Sequence, residues 1–253
     1  MINKYFSVDV APTIAASLQH TAAFAGGDVL FDWTPFQVPK GSSALHSAVA
    51  LVRPKGDAAA TINNFGFNLV FSKTNTQSLG TANSAPAQRP SNDILGVVEF
   101  EDVNYGHSNM SSTAVATMGK ASNNGKDNPV LVLTGDPDSG DNVGYDTLYV
   151  AAIATGAFDF RSIHLIASTA SAGTTVVVDA VADLTFLEHF IPGDILQVAT
   201  TVGDSAADTI MGTVASITNA TTLELTGTSE DVFVDGAILY NTSPIKLKLS
   251  FEK

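Results

Sequence analysis

The chain has 253 residues, of which 45% are apolar and only 15% charged. That balance excludes an intrinsically disordered chain, and the length suffices for one large or two smaller domains. The 25 acidic residues outnumber 12 scattered basic ones, for a net charge of −13, which argues against nucleic acid as a partner because phosphate binding needs a basic face. No stretch approaches the roughly 20 apolar residues that cross a bilayer, so we expect no membrane partner.

The first segment, residues 1–27, has few turn signals and no apolar core of a secretory signal. Residues 13–25 within it fit a helix and an extended segment about equally well. We interpret 1–27 as an N-terminal arm that reaches a neighbouring molecule. The chain contains no cysteine and hence no disulfide framework, and we expect the protein to be made in a host cytoplasm.

Apolar and polar residues then alternate with a period of two, which is typical of β-strands that bury one face. The clearest case is C-terminal, where Ile245, Leu247, Leu249 and Phe251 alternate with polar residues. The other predicted strands lie between Gly-, Pro-, Asn- and Asp-rich turns, at 28–38, 44–52, 65–72, 94–103, 129–134, 147–154 and 162–168. The pattern predicts an all-β protein in which residues 28–172 form an antiparallel, jelly-roll-like β-sandwich.

Two long polar segments, 75–93 and 106–128, interrupt these strands. Loops of that length without secondary structure are uncommon in compact domains and are usually functional or disordered. We interpret them as contact loops that neighbouring molecules order.

The character of the chain changes near residue 173, where the strands shorten and the turns become more regular. Short strands at intervals of about 8–12 residues are typical of sandwiches and barrels, and we predict a small β-barrel over 173–242. The final strand, in 243–253, is predicted to return to the main sandwich. The barrel would then be an insertion near the end of the sandwich.

One acidic cluster raises the possibility of a bound cation, because residues 136–146 contain Asp136, Asp138, Asp141 and Asp146. Calcium prefers such oxygen ligands, but the spacing fails the EF-hand pattern, in which the sixth loop position is glycine. The alternative is an acidic hairpin turn whose Asp, Pro and Gly residues set the backbone. We favour the turn and predict no metal ion and no cofactor.

The histidines do not indicate a zinc site, because no two have the spacing that places both ligands on one element. They are His20, His46, His107, His164 and His189. We interpret His46 and His164, which lie in apolar strand patterns, as core or interface residues.

Sequence patterns of catalysis are also missing: there is no G-x-S-x-G elbow, no P-loop and no G-x-G-x-x-G. No pair of carboxylates stands out as the acid and base of a glycosidase. We therefore predict a non-enzymatic protein without catalytic residues. Trp33, within FDWTPF (31–36), is the aromatic residue expected to be exposed and available for contacts.

A longer pattern joins PGDIL (192–196), GTVASITNATTLEL (212–225) and FVDGAILY (233–240). It resembles the small barrel units of tailed-bacteriophage virion proteins. The stretches 43–74 and 141–160 are similar to structural proteins of marine and cyanobacterial phages. The resemblance implies an oligomeric virion component without catalysis, either a capsid decoration or cement protein or a part of a tail or fibre.

The segment 212–225 is predicted to be a scaffold hairpin. Its polar SITNATTL stretch would connect two strands, and Gly212 would permit their close approach.

These observations favour a structural protein of the virion, specifically a capsid decoration or cement protein that binds the major capsid protein and copies of itself. A homotrimer is favoured, and many repeated contacts would give large avidity. One alternative is a tail, baseplate or head-fibre component that binds a host glycan near Trp33. The other is a polysaccharide hydrolase with a β-sandwich fold.

Overall fold

The computed structural model describes residues 5–87, 91–105, 112–119, 131–133, 136–137, 145–163, 173–179, 189–199, 208–229, 233 and 235–253. Nearly all of the regular structure in these ranges is β-strand, arranged in three antiparallel five-stranded sheets. This confirms the all-β prediction.

The strands in chain order are β1 Tyr5–Val10, β2 Val29–Pro39, β3 Ser43–Val52, β4 Phe67–Ser72, β5 Ile94–Phe100, β6 Ala114–Gly119, β7 Leu131–Leu133, β8 Asp136–Pro137, β9 Tyr145–Ala154, β10 Thr175–Val177, β11 Ile195–Ala199, β12 Thr209–Asn219, β13 Thr222–Leu225, β14 Ile238–Asn241 and β15 Ile245–Glu252. A short helix, α1, spans Ala16–Thr21, and a 3₁₀ turn spans Asp102–Asn104. Of the strand predicted at 162–168, residues 164–168 lie outside the described residues.

Two of the sheets form a sandwich with jelly-roll topology. One has the order β1-β15-β3-β6, with β7 also paired to β3, and the other has the order β2-β9-β4-β5, with β8 also paired to β9. The chain passes from one sheet to the other in most of its connections, and the first strand pairs with the last. This arrangement is the double Greek key of a jelly roll, and it agrees with the predicted antiparallel sandwich.

The sandwich core follows the predicted alternation and is rich in phenylalanine. On β15, the side chains of Ile245, Leu247, Leu249 and Phe251 are all at most 2% exposed. Aromatic rings fill the space between the sheets; the rings of Phe67 and Phe100, for example, stack at 4.9 Å. Truncating a buried phenylalanine to alanine typically costs about 3–5 kcal/mol, so this cluster is a major source of stability.

The third sheet, with the order β10-β13-β12-β11-β14, is inserted between β9 and β15 and has its own apolar core. We call it the inserted lobe. The predicted hairpin is present: β12 pairs with β13, and Asn219 lies opposite Thr222. Gly212 has a φ of +153°, and a Cβ there would lie 3.1 Å from Cδ1 of Leu225, which explains the need for glycine. Among the described residues no pairing joins β10 to β14, so closure into a barrel stays a prediction.

The segment predicted to be an N-terminal arm is built into the jelly roll from Tyr5 onward. Strand β1 pairs with β15 over six residues, and the ring of Phe6 stacks on Phe251 at 5.2 Å. Val10 and Phe24 are buried in the sandwich core. The alternation of Phe6, Val8 and Val10 is the signal of this strand, and the arm interpretation overlooked it.

The described part of the polar segment 75–93 is held by contacts within its own chain, and its ordering by neighbouring molecules stays a prediction. Its Leu79 is 4% exposed and packs on the outer face of the sheet that contains β2. Asp32 on β2 accepts hydrogen bonds from Leu79 N at 2.7 Å and from Ser78 Oγ at 2.6 Å. Side chains such as Asp32 hold irregular backbone whose N–H groups are not hydrogen-bonded to a neighbouring strand.

The second polar segment, 106–128, contains β6, which pairs with β3.

Replacing Asp32 with alanine is expected to loosen the segment 74–87 and to lower the free energy of unfolding by about 1–3 kcal/mol, because two hydrogen bonds to a charged group are lost and the partly buried N–H of Leu79 loses its acceptor. Limited proteolysis followed by mass spectrometry should show new cleavage there, and urea unfolding measures the stability. Asp9→Ala, at a side chain that is 79% exposed, is the control. Equal protease resistance of both variants would contradict the assigned role of Asp32.

Candidate functional site at the junction of the two lobes

The residues that join the jelly roll to the inserted lobe include a buried, hydrogen-bonded cluster of charged side chains. Its centre is Asp194, whose side chain is 0% exposed. Arg53 Nη2 donates to both carboxylate oxygens, at 3.1 and 3.2 Å, and Lys246 Nζ donates to Oδ1 at 2.7 Å. The backbone N–H of Ile191 donates to Oδ2 at 3.0 Å.

The position of each charged side chain follows from its element. Arg53 directly follows β3, Lys246 lies on β15, and Asp194 precedes β11. Asp194 is the aspartate of the PGDIL motif. The carboxylate of the inserted lobe is therefore held by two cations from neighbouring strands of the jelly roll.

The energetics of this cluster favour one arrangement of the lobes. Burying charges costs several kcal/mol per ion, and this cost is offset only where the geometry is good and the remaining lone pairs are satisfied. Asp194 meets that condition with four hydrogen bonds. A displaced lobe would leave the buried carboxylate unpaired, so the cluster disfavours other orientations.

Helix α1 joins the lobes at a second place, because the inserted lobe caps its amino-terminal end. The backbone N–H of Ala16 donates to Gln197 Oε1 at 3.1 Å. The backbone N–H and the hydroxyl of Ser17 both donate to the Asp208 carboxylate at 2.8 Å. The helix has no capping side chain of its own. The inserted lobe therefore supplies the hydrogen-bond acceptors for the backbone N–H groups at the start of the helix.

A third contact is made by Tyr240 of β14. Its hydroxyl is hydrogen-bonded to Nδ1 of His20 and accepts the backbone N–H of Ser162 at 3.4 Å. Burial, and then the charge of Arg161, lower the pKa of His20, while burial raises the pKa of Tyr240. At neutral pH the imidazole is therefore neutral and the Tyr240 hydroxyl remains protonated.

Arg161 and Asp159 form an ion pair at the edge of this region, with Nη2 and Oδ2 2.8 Å apart. The hydrogen bond from Arg161 lowers the pKa of the Asp159 carboxyl against the opposing effect of its burial.

The backbones also approach closely near the junction. Gly56 forms a parallel bridge with Ser162, and a Cβ at Gly56 would lie 2.5 Å from the Cα of Ser162. His189 Nε2 donates to the carbonyl of Lys55 at 2.9 Å. Any side chain at position 56 would push these segments apart. Taken together, the contacts hold the two lobes in fixed register.

Of the residues singled out from the sequence, His20 and His189 lie at this junction, whereas Trp33 and His46 lie elsewhere. Trp33 is half-buried beneath the segment 74–87, and its indole N–H donates to the carbonyl of Gln77 at 2.9 Å. The prediction that Trp33 is exposed and available for contacts is therefore wrong. His46 is half-buried, edge-on to Tyr5 at 5.9 Å.

Several expectations fall partly or wholly outside the described residues. His107 and His164 belong to such stretches, as do Asp138 and Asp141 of the acidic cluster. Asp146, at the end of that cluster, is described and is 3% exposed. Within the described ranges, no group of three His, Cys, Asp or Glu residues is placed to hold a metal ion.

Sequence reasoning did not find Arg53, Asp194 and Lys246 as a cluster. The PGDIL motif marked the region of Asp194, and the alternation of β15 marked Lys246. Arg53 and Asp194 are, however, 141 positions apart in the chain, and Lys246 and Asp194 are 52 apart. No local pattern indicates that they meet.

Comparison with known proteins adds little to this description. No family model and no curated protein matches the chain. Among solved structures it is similar, at 10% identity, to one described as "Crystal Structure of the STIV MCP", with 98% of this chain and 95% of that chain covered and a TM-score of 0.17. So low a score carries no argument about fold or function. In the described part of the chain, no helix is long and apolar enough to span a membrane. The strand topology therefore defines the class of protein: it is a jelly roll of two sheets with a third sheet inserted before its last strand.

Proposed function

We propose that this protein is a structural component of a virion that decorates or cements the capsid shell, as an oligomer that binds the major capsid protein and further copies of itself. The observation that carries the proposal is the jelly roll with its lobe locked in place by Arg53, Asp194 and Lys246. Double-sheet jelly rolls occur in viral capsid proteins, and also in lectins and cupins. The resemblance of 192–240 to phage virion proteins favours the first of these.

Rigidity supports this role, because a building block that repeats over a shell must present its contacts in constant geometry. The ion pairs of Asp194 and the capping of helix α1 by the inserted lobe both restrict movement between the lobes. Pre-organised contacts are not weakened by the cost of ordering them on binding. Repeated over many copies, modest contacts then give high avidity.

The edges of the sandwich offer the surfaces for such contacts. Among the described strands, β1 pairs only with β15 and β5 pairs only with β4. Apolar side chains are exposed on both edge strands: Tyr5 is 64% exposed, Val97 47% and Ile94 40%. Unpaired strand edges with exposed apolar residues are suited to contacts between molecules.

Electron cryomicroscopy of purified virions that contain this chain tests the proposal. We expect its two-lobed density to repeat with the symmetry of the shell and to bridge neighbouring major capsid subunits. A focused reconstruction of the tail of the same particles is the internal control. Density found only at the tail, the baseplate or a single vertex would contradict the decoration role.

The structure gives less support to the alternative that the protein binds a glycan near Trp33, because the indole N–H of Trp33 is already hydrogen-bonded within its own chain. A tail location in the reconstruction would nevertheless restore it, and a glycan array with the purified protein would then be the next measurement.

A further inference from the structure

Within the described part of the chain, two buried oxygen atoms at one end of the jelly roll have no hydrogen-bond partner. They are Oδ1 of Asp146, a residue 3% exposed, and Oγ of Ser43, a residue 2% exposed. The other carboxylate oxygen of Asp146 accepts a hydrogen bond from the backbone N–H of Gly41 at 2.8 Å. Leaving such atoms unsatisfied in the interior is costly, so their presence calls for a ligand.

The alternation of the strands directs both side chains into the same region. On β9, Asp146 and Leu148 are buried whereas their neighbours Tyr145 and Thr147 are more exposed. On β3, Ser43 and Leu45 are buried in the same way. Both side chains therefore face the space between the two sheets, where Leu45 and Leu148 belong to the sandwich core.

The two strands also meet at this end. Gly41, which bonds to Asp146, lies in the short connection from β2 to β3, two residues before Ser43. Asp146 lies opposite Val38 near the end of β2. The insertion follows the other end of β9, and Arg53 follows the other end of β3. The unsatisfied oxygens thus lie at the end of the jelly roll that is remote from the inserted lobe.

The charge of Asp146 narrows the choice of ligand. Buried carboxylates are normally paired with a cation or bound to a metal ion, and no described cationic side chain forms an ion pair with Asp146. A carboxylate and a hydroxyl are hard oxygen ligands, which suit calcium or magnesium better than zinc.

We infer that Asp146 and Ser43 bind a calcium ion that ties β9 to the connection between β2 and β3. Calcium accepts six to eight oxygens in irregular geometry, including backbone carbonyls and water, whereas magnesium demands a near-ideal octahedron. Asp146 and Ser43 supply two side-chain oxygens, so backbone carbonyls and water would complete the shell, which calcium accepts more readily than magnesium. The ion would fasten the two sheets together at this end, and the site does not depend on the capsid role proposed above.

Calorimetric titration of the full chain, stripped with EDTA and dialysed, tests the inference. We expect binding of about one Ca²⁺ per chain, and a rise in Tm of about 5–10 °C at a free Ca²⁺ concentration near 100 times Kd. Mg²⁺ at the same concentration should give a smaller rise. Absence of both heat and Tm shift with Ca²⁺ at about 10 mM, well above the range of weak extracellular sites, would overturn the inference.

Three variants locate the ion. Asp146→Asn is expected to abolish the Ca²⁺ response, and Ser43→Ala to weaken binding while the protein stays folded, since it removes only an unsatisfied hydroxyl. Asp9→Asn, at an exposed carboxylate, should respond like the wild type. A full response in Asp146→Asn would place the ion elsewhere and overturn the assignment. If that variant does not fold, Ser43→Ala decides, and unchanged Ca²⁺ affinity in it would equally overturn the site.

Discussion

Replacing Asp194 with alanine is expected to lower the free energy of unfolding by about 3–5 kcal/mol. The change removes the acceptor of three side-chain hydrogen bonds and leaves Arg53, whose side chain is 11% exposed, as an uncompensated buried charge. Lys246, at 30% exposed, can turn toward water more easily, so most of the loss should come from Arg53. Urea unfolding followed by circular dichroism measures the change.

The matched control is Arg161→Ala, which breaks an ion pair whose cation is 51% exposed. Surface pairs contribute about 1 kcal/mol or less, so this variant should remain close to the wild type. Hydrogen exchange adds spatial information: in Asp194→Ala, protection should fall first in β11, which follows Asp194 directly. A loss below about 1 kcal/mol for Asp194→Ala would show that the cluster does not lock the lobes.

Deleting residues 1–10 is expected to remove about 5 kcal/mol of stability, enough to abolish folding in many proteins of this size. Strand β1 supplies six paired residues to β15 and buries Val10, with Phe6 and Val8 packed against the core. Its loss would uncover the edge of β15 and the ring of Phe251. Size-exclusion chromatography and thermal unfolding should therefore show aggregation or a large fall in Tm.

The single substitution Tyr5→Ala provides the control for this deletion, because it removes a side chain that is 64% exposed and leaves the strand in place. Exposed substitutions usually change stability by less than about 0.5 kcal/mol. A deleted protein that remained monomeric with an unchanged Tm would support the interpretation of the segment as a free arm, and would contradict the pairing of β1.

The structure also shows where sequence reasoning stops. The strand β15 was predictable because Ile245, Leu247, Leu249 and Phe251 carry the whole signal within seven residues. Strand β1 carries a weaker version of the same signal in Phe6, Val8 and Val10, and composition suggested an arm instead. The segment 75–93 looked like an unstructured loop because its order comes from distant partners, such as Asp32, and not from its own periodicity.

The candidate site was predictable only in fragments. The PGDIL motif pointed to a turn at Asp194, but its partners Arg53 and Lys246 are brought to it by the strand order of the jelly roll. Asp146 was visible as one member of an acidic cluster. Its burial, and the unpaired oxygen that makes it a candidate calcium ligand, depend on which face of β9 looks inward.

The sequence by itself determined that the protein is all-β, where most of its strands lie and which of their faces are apolar, because side-chain alternation is a local property of the chain. Only the tertiary structure decided that the first strand pairs with the last, that a separate sheet is inserted before the last strand, and that Arg53, Asp194 and Lys246 meet. These features arise from pairing between residues up to 247 positions apart, as for Tyr5 and Glu252. Many such pairings satisfy the same local pattern, and only packing of the whole core selects among them.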